Sequence, residues 1–218
     1  MNRYDIAVFD VDGTLLDTSE GILNSVKHTI DVFGKPMPDP ETLRSFIGPP
    51  IQNSFQKEYG LSKEEADTMA AEFRKVYKDI YLFGAVPYEG IYECMDTLRK
   101  AGVKLAVATY KRQDYAEKIL KHFAFDRYCD VIYGSDFEGK LSKMDIIEKC
   151  MKDLGSTDYK NAVMIGDSWH DANGAEQLGV DFIGVTYGFD FRTEVDVKEQ
   201  GAVGCAFAPK DLISLIIG

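Results

Sequence analysis

The stretch Ile6-Ala7-Val8-Phe9-Asp10-Val11-Asp12-Gly13-Thr14 decides the fold of this chain. Its four leading apolar residues predict a strand buried on both faces, as in a parallel sheet between helices. Two carboxylates follow at once, and a buried strand tolerates them only where its end opens onto solvent or a metal. Side chains two apart on an extended segment point the same way, so Asp10 and Asp12 can face one small volume. A solvated, aspartate-rich turn is the alternative interpretation.

Length and charge narrow the class of protein. The chain has 218 residues, enough for one full core and a small second unit. Its formal net charge is −11, which disfavours binding to a nucleic acid polymer because phosphates need a basic footprint. No apolar run approaches the roughly 20 residues of a membrane span, so no membrane partner is expected. Strand-like sequence begins almost at once, without a secretory leader, and we expect a cytoplasmic protein that is a monomer or a homodimer.

Strand-like apolar runs alternate with helical patterns along most of the chain. This alternation predicts an α/β fold, a doubly wound parallel sheet with helices on both faces. The predicted strands are 4–9, 103–108, 131–133, 162–165 and 182–185, and the predicted helices between them are 88–100, 113–123 and 144–154. Ligands bind beyond the carboxyl ends of the strands in such sheets. Polar residues at the strand ends are therefore the candidates for a functional site.

The alternation stops between residues 17 and 84, where the sequence becomes helical. Periodic apolar patterns cover 20–33, 41–46, 51–59 and 63–80, separated by segments rich in glycine and proline. We expect 17–84 to be a small all-helical domain inserted into a core formed by 1–16 and 85–218. Such an insertion directly after the aspartate pair is placed to act as a lid. A plain packing layer is the alternative.

A second pair of carboxylates follows a later strand. Asp167 and Asp171 are four residues apart across a turn into a helix, a spacing that can bring both to one hard cation such as Mg²⁺. Taken alone, Gly166-Asp167-Ser168 also fits a helix cap, in which Asp167 or Ser168 accepts from free backbone N–H groups. The cap alone leaves Asp171 unexplained.

Two further positions carry groups suited to an anion. Thr109 follows a predicted strand at what the pattern indicates is a helix start, where a hydroxyl and backbone N–H groups can receive a phosphate. A simple helix cap is the alternative there. Lys143 opens the predicted helix 144–154, although a cation at a helix N-terminus is mildly unfavourable. Surface solvation is the alternative for this lysine, and Lys140 competes with it for a functional role.

Together these positions form a pattern that none of them makes alone. The segment 10–14, then Thr109, Lys143 and the segment 166–171 resemble, in this order, the four motifs of the haloacid dehalogenase-like (HAD) superfamily of phosphohydrolases. The resemblance covers nearly the whole chain. It implies a Rossmann-like HAD core with an inserted helical cap, and a Mg²⁺-dependent phosphatase that acts on a small phosphorylated metabolite.

The resemblance also implies roles for individual residues. Asp10 would attack phosphorus to give an aspartyl-phosphate, and Asp12 would protonate the leaving oxygen and later take a proton from water. Thr109 and Lys143 would hold the phosphoryl oxygens. Gly13 and Tyr110, which adjoin these motif residues, are further candidates for phosphate binding.

The same motifs imply a metal site. Asp10, the backbone carbonyl of Asp12 and Asp167 would bind Mg²⁺, and Asp171 would support them. Crowded carboxylates raise one another's pKa values unless cations are present, so Mg²⁺ and Lys143 would keep Asp10 ionised. Asp12 has the opposite need, and a crowded anionic site favours the protonated acid.

Within the superfamily, Asp12 argues against a halide-releasing enzyme, which needs no acid at that position and no Mg²⁺. A phosphatase is the preferred interpretation of the motifs. A sugar-phosphate mutase resembling β-phosphoglucomutase is one alternative, although such mutases often carry another residue where Thr14 stands. A non-enzymatic phosphate-binding or regulatory protein on the same scaffold is another alternative. A receiver-like regulator, however, needs neither an acid at Asp12 nor a large inserted lid.

The branch of the family rests on short segments. Residues 46–50, 106–111 and 132–135 look most like the branch that contains phosphoglycolate phosphatases and bacterial 5'-nucleotidases. That branch usually has a small residue where Tyr110 stands and proline where Arg112 stands. Tyr110 could narrow the pocket or stack on a base. Arg44 and Gly48 are the cap candidates for substrate contact, a surface arginine and a plain turn being the alternative.

Overall fold

The computed structural model describes residues 2–137 and 140–218. Contacts divide the chain into two compact units, Met1–Asp17 with Pro87–Gly218 and Thr18–Val86. The larger unit is interrupted in sequence by the smaller one, which is entered directly after the aspartate-containing turn. Each unit has its own buried core and is described separately.

The strands, in chain order, are β1 (Ile6–Phe9), β2 (Leu16–Asp17), β3 (Val86–Pro87), β4 (Lys104–Arg112), β5 (Val131–Ser135), β6 (Ala162–Gly166), β7 (Asp181–Val185) and β8 (Gly204–Ala206). In the described part of the chain, six of them form a parallel sheet in the order β5-β4-β1-β6-β7-β8. The short strands β2 and β3 pair separately. Because β1 lies between β4 and β6, residues that follow these three strands come together at one edge.

The α-helices, in chain order, are α1 (Ser19–Val32), α2 (Pro40–Arg44), α3 (Ile51–Tyr59), α4 (Lys63–Val76), α5 (Ile91–Lys100), α6 (Gln113–His122), α7 (Lys143–Asp153), α8 (Trp169–Leu178), α9 (Glu194–Lys198) and α10 (Asp211–Ile217). Two 3₁₀-helices, Phe125–Arg127 and Tyr159–Asn161, and a π-helix, Tyr77–Tyr81, complete the description. Among these described helices, none combines the length and apolarity needed to cross a bilayer.

The core of the larger unit covers both faces of the sheet. Val8, Ala106 and Met164 of the three central strands pack in one cluster with residues of α7 and α8. Ala7 and Phe9 point to the opposite face, since side chains alternate along a strand, and they are also fully buried. Burial of a large apolar side chain contributes about 1.5–3 kcal/mol. The predicted doubly wound parallel α/β sheet is confirmed.

The smaller unit is a set of four α-helices with a π-helical extension. Its core joins Val26 and Ile30 of α1 to Phe55 of α3 and Met69 of α4. The apolar pattern over 63–80 predicts one helix, but α4 ends at Val76 and the chain continues as a π-helix. Ile80, the last apolar residue of the predicted helix, is 62% exposed, because the wider turn of the π-helix changes the spacing of side chains around the axis.

The largest error of the sequence prediction near the candidate site concerns β4. The strand was expected to end at Ala108, with Thr109 at a helix start, whereas it continues to Arg112 and α6 begins at Gln113. Thr109 is therefore not a helix cap. The pairing of β4 with β5 shifts register between Ala108 and Arg112, which lets the polar end of the strand continue past the edge of the core.

Other differences are smaller. The helix expected at 88–100 begins only at Ile91, because Gly90 has a positive φ of 81° that ends the preceding turn. The elements β8, α9 and α10 were not predicted. They have three, five and seven residues, too few to show a clear period.

Candidate active site

The turn after β1 presents Asp10 at the edge of the sheet. The Asp10 N–H donates to the Ile165 carbonyl of β6, and its side chain is buried. Gly13 then turns the chain with a φ of 80°, and its N–H donates to the Leu16 carbonyl at 2.9 Å. A Cβ at Gly13 would collide with the Asp167 carboxylate, so glycine is what lets Asp167 approach. A phosphate-binding role for Gly13 stays a prediction.

Lys143 is the buried cation of the site. It is the first residue of α7, and its side chain is only 2% exposed. Its Nζ lies 2.9 Å from Asp10 Oδ1 and 2.6 Å from Asp171 Oδ1. Burial lowers the pKa of Lys143, but the two carboxylates more than offset this and hold the pKa above its usual value. Lys140, the competing candidate, is exposed.

Local structure holds Lys143 in place. Ser142 caps α7 through a capping box with Asp145, which satisfies backbone donors at the helix start. Gly174 of α8 packs against the aliphatic stem of Lys143, and a Cβ there would lie 2.8 Å from Lys143 Cβ. The capped backbone and the close approach of Gly174 restrict the aliphatic stem of Lys143, which carries the ammonium group.

Three buried carboxylates lie close together, and two of them, Asp10 and Asp171, contact this lysine. Ligand atoms of Asp10, Asp167 and Asp171 all lie within 4.8 Å of one another. Burial raises the pKa of Asp10 to about 6, an effect that Lys143 opposes and Asp171 increases. Burial likewise raises the pKa of Asp167 well above its usual range, and Asp171 and Asp10 add to the effect. One lysine does not neutralise three carboxylates, so this set of hard oxygen donors fits a divalent cation such as Mg²⁺.

The helix-cap alternative holds for Ser168 and Asp171, which together cap α8, and not for Asp167. Ser168, not Asp167, caps α8, and Asp171 Oδ2 accepts from the Ser168 N–H and hydroxyl at 3.2 and 2.7 Å. The other oxygen of Asp171 contacts Lys143. Asp167 instead accepts from the Phe189 N–H at 2.6 Å. Asp171 thus connects the cap of α8 to Lys143 as well as belonging to the carboxylate group, whereas Asp167 takes no part in the cap.

Asp12 lies in a different environment from the one expected. Its carboxylate is not part of the group of three found among the described residues. Asp12 Oδ1 lies 3.0 Å from Nζ of Lys111, whose side chain is only 6% exposed. The expectation of a carboxyl crowded by other anions was therefore incomplete. Sequence reasoning missed Lys111, because the predicted strand ends at Ala108 and the partner Asp12 is distant in sequence.

Thr109 and Tyr110 occupy the end of β4. Thr109 is 1% exposed, and its Oγ1 accepts from the Lys111 N–H at 3.1 Å. The Tyr110 hydroxyl accepts from the Lys143 N–H at 2.9 Å, and its ring meets His170 edge to face. Tyr110 therefore contacts the backbone at the start of α7. Whether Thr109 and Tyr110 bind phosphate stays a prediction.

The two candidates for substrate contact, Arg44 and Gly48, belong to the smaller, helical unit, whereas the cluster belongs to the larger one. Arg44 is the last residue of α2 and is exposed. Gly48 is exposed too and has a φ of 101°, a conformation that favours glycine. Their part in substrate contact stays a prediction.

A model of the haloacid dehalogenase-like hydrolases matches residues 7–185, a span that holds every group of the cluster described above. The chain belongs to the haloacid dehalogenase-like hydrolase family. This confirms the resemblance seen in the motifs.

Several relatives of this HAD-like hydrolase carry the names of phosphate-releasing enzymes. A 5'-nucleotidase of Pseudomonas aeruginosa is 36% identical over 193 residues, 88% of this chain and 87% of the relative. The pyrophosphatase PpaX of Halalkalibacterium halodurans is 35% identical over 82% of this chain and 81% of its own. The crystal structure of a predicted phosphatase from Clostridium acetobutylicum superposes with a TM-score of 0.87 at 35% identity, covering 97% of each chain. The hydrolase is accordingly an enzyme of the HAD phosphatase type.

Proposed function

We propose that this hydrolase cleaves a small phosphate monoester through a phosphorylated Asp10, with Mg²⁺ as cofactor. The observation that carries the proposal is the contact of 2.9 Å between buried Lys143 and Asp10, inside a group of three buried carboxylates. The lysine supplies the cation that a phosphoryl group needs in an otherwise anionic site. Asp12, held by Lys111 outside that group, is then left for proton transfer.

The chemistry proceeds in two displacements. Asp10 attacks phosphorus, the ester P–O bond breaks, and the Asp12 proton passes to the departing alkoxide. A water then attacks the aspartyl-phosphate, its proton passes to Asp12, and the bond between phosphorus and Asp10 breaks. Asp10 is again a carboxylate and Asp12 again an acid. Lys143 and Thr109 hold the phosphoryl oxygens through both steps.

Bound Mg²⁺ would supply charge neutralisation for the phosphoryl oxygens and the surrounding carboxylates. Asp10, the Asp12 carbonyl and Asp167 are proposed as its protein ligands. Asp171 supports the arrangement through its contacts with Lys143 and Ser168.

Substrate selection is proposed to rest on the helical unit, with Arg44 and Gly48 as its contributors. Nucleoside 5'-monophosphates come first because of the 5'-nucleotidase relative. Pyrophosphate is the second candidate because of the PpaX relative. Phosphoglycolate is the third candidate, because short segments of the sequence resemble the branch that contains phosphoglycolate phosphatases. A small phosphorylated metabolite in the cytoplasm is the partner proposed for a monomeric or homodimeric enzyme.

Phosphate release from a panel of phosphate esters and pyrophosphate tests the proposal. The panel holds p-nitrophenyl phosphate, nucleoside 5'-monophosphates, phosphoglycolate, pyrophosphate and a hexose phosphate, each with Mg²⁺ and with EDTA. We expect turnover that needs Mg²⁺ and that disappears in Asp10→Asn. Interconversion of hexose phosphates without net release would favour the mutase alternative. No turnover on any member would reject the phosphatase proposal.

A further inference from the structure

We propose that Lys111 is a positioning residue for Asp12, holding the carboxyl in the orientation that proton transfer to the leaving group requires. The inference rests on the proposed function, in which Asp12 is the general acid and base. It adds a residue that the motif comparison did not assign.

The burial of Lys111 is the first argument. An ammonium group loses its hydration when buried, and this is tolerated only with a partner in good geometry. The Lys111 side chain is 6% exposed, and Asp12 Oδ1 lies 3.0 Å from its Nζ. An exposed ion pair would leave both side chains mobile. A pair this deeply buried on the lysine side instead restricts rotation of the Asp12 carboxyl group.

The backbone fixes the lysine as well. Thr109 and Lys111 lie two residues apart near the end of β4, in the stretch where the pairing with β5 shifts register. The Lys111 N–H donates to Thr109 Oγ1 at 3.1 Å. Strand β4 is the direct neighbour of β1, after which Asp10 and Asp12 follow. The bond to Thr109 precedes Lys111 in the chain, and the pairing of Arg112 with β5 follows it. Lys111 therefore reaches Asp12 from the end of a neighbouring strand whose backbone is held on both sides of the lysine.

Among the described residues, the two lysines of the site contact different carboxylates. Lys143 contacts Asp10 and Asp171, whereas Lys111 contacts Asp12. The first pairing involves the residue that attacks phosphorus in the proposed reaction. The second lies at the group that handles the proton of the leaving oxygen. Loss of Lys111 should consequently affect departure of the leaving group more than attack on phosphorus.

Leaving groups of different basicity provide the test. Nitrophenolate departs without a proton, whereas the alkoxide of benzyl phosphate needs one. For Lys111→Met we expect kcat/KM on benzyl phosphate to fall about a hundredfold, while the value on p-nitrophenyl phosphate changes by no more than about threefold. Because kcat/KM covers steps only up to the first irreversible one, slow hydrolysis of the intermediate does not enter it.

Three variants control the experiment. Lys111→Arg keeps the charge and should recover part of the loss on benzyl phosphate. In an Asp12→Asn background, Lys111→Met should add little further loss, because coupled residues are not additive. Lys118→Met, at an exposed site on α6, should leave both substrates unchanged.

Equal losses on both esters in Lys111→Met, or full additivity with Asp12→Asn, would overturn the positioning role. If Lys111→Met does not fold, Lys111→Arg decides, since unequal effects on the two esters support the role and equal effects reject it. Failure of the proposed function looks different. The wild type would then release no phosphate from either ester, or Asp10→Asn would remain active.

Discussion

At the scale of single residues, the buried lysine is the group on which the site depends most. Lys143 faces Asp10 and Asp171 at 2.9 and 2.6 Å, and all three side chains are buried. Removing one partner of such a cluster leaves uncompensated buried charge, which is far more costly than loss of a surface pair. Stability and catalysis therefore depend on the same contact.

For Lys143→Met we expect a loss of about 3–5 kcal/mol in the free energy of unfolding. Urea titration followed by circular dichroism measures it, and phosphate release should fall in the same variant. Lys149→Met, a second lysine of α7, is the control and should cost less than about 0.5 kcal/mol. A Lys143 variant as stable as the control would show that the cluster is not a tight ion-pair network.

Asp10 makes the metal-free protein sensitive to pH. Burial raises its pKa from 3.8 to about 6 in the folded state, so folded protein keeps a proton that unfolded protein has lost. The resulting destabilisation is absent below pH 3.8, grows as the pH rises to about 6 and is constant above that. In EDTA, the stability of Asp10→Asn relative to wild type should rise as the pH increases across this range, on top of a pH-independent cost of removing a partner of Lys143. A difference that does not vary between pH 4 and pH 7 would contradict this.

Sequence reasoning located most of the site because each functional group follows its own strand or opens a helix. Asp10 and Asp167 are carboxylates at the ends of buried strands, and Lys143 is a cation at a helix N-terminus. Burial and the helix dipole disfavour these residues at these positions, and such local conflicts mark function. Lys111 caused no conflict, because it sat in a polar run that looked like a loop. Its partner is distant in sequence, and only the continued strand brings the two together.

At the scale of elements, the start of α7 aligns the lysine. Ser142 and Asp145 form a capping box there, and Tyr110 accepts from the Lys143 N–H. The helical unit offers a matched comparison, since α4 begins with a capping box of Ser62 and Glu65. The two caps are chemically alike, but only Ser142 directly precedes a residue of the candidate site, Lys143.

We expect Ser142→Ala and Ser62→Ala each to lower the free energy of unfolding by about 1 kcal/mol. Only Ser142→Ala should also lower kcat/KM, because it loosens the backbone of Lys143. Parallel urea titrations and assays on p-nitrophenyl phosphate separate the two effects. Equal activity in both folded variants would mean that the cap does not position the lysine.

The elements themselves were predictable where their pattern is long. Helices α3, α6 and α7 and strands β1 and β6 lie within a residue or two of the expected positions. The strand β4 was cut short because Tyr110, Lys111 and Arg112 are polar or half-exposed, although backbone pairing with β5 resumes at Arg112. The short C-terminal elements owe their form to packing on the sheet, which periodicity does not register.

At the scale of the whole molecule, a net charge of −11 coexists with a site meant for an anion. Three buried carboxylates lie together and only two of them contact Lys143, so a divalent cation should stabilise the folded protein even without substrate. Activity is not needed to observe this effect.

Thermal unfolding at pH 7 should shift upward as Mg²⁺ is added. At free Mg²⁺ a hundredfold above its Kd, the stabilisation is about 2.7 kcal/mol. Asp167→Asn should abolish most of the shift, whereas Asp67→Asn, at an exposed carboxylate of α4, should preserve it. The same shift in both variants would place the cation elsewhere.

The central claim is that Asp10 carries the phosphoryl group during turnover, and trapping that species tests it most directly. The enzyme is mixed with ³²P-labelled p-nitrophenyl phosphate and Mg²⁺, quenched in acid within one turnover, and digested. We predict base-labile label on the peptide that contains Asp10, with none in Asp10→Asn. Steady phosphate release without label on that peptide, or wild-type turnover by Asp10→Asn, would contradict the account.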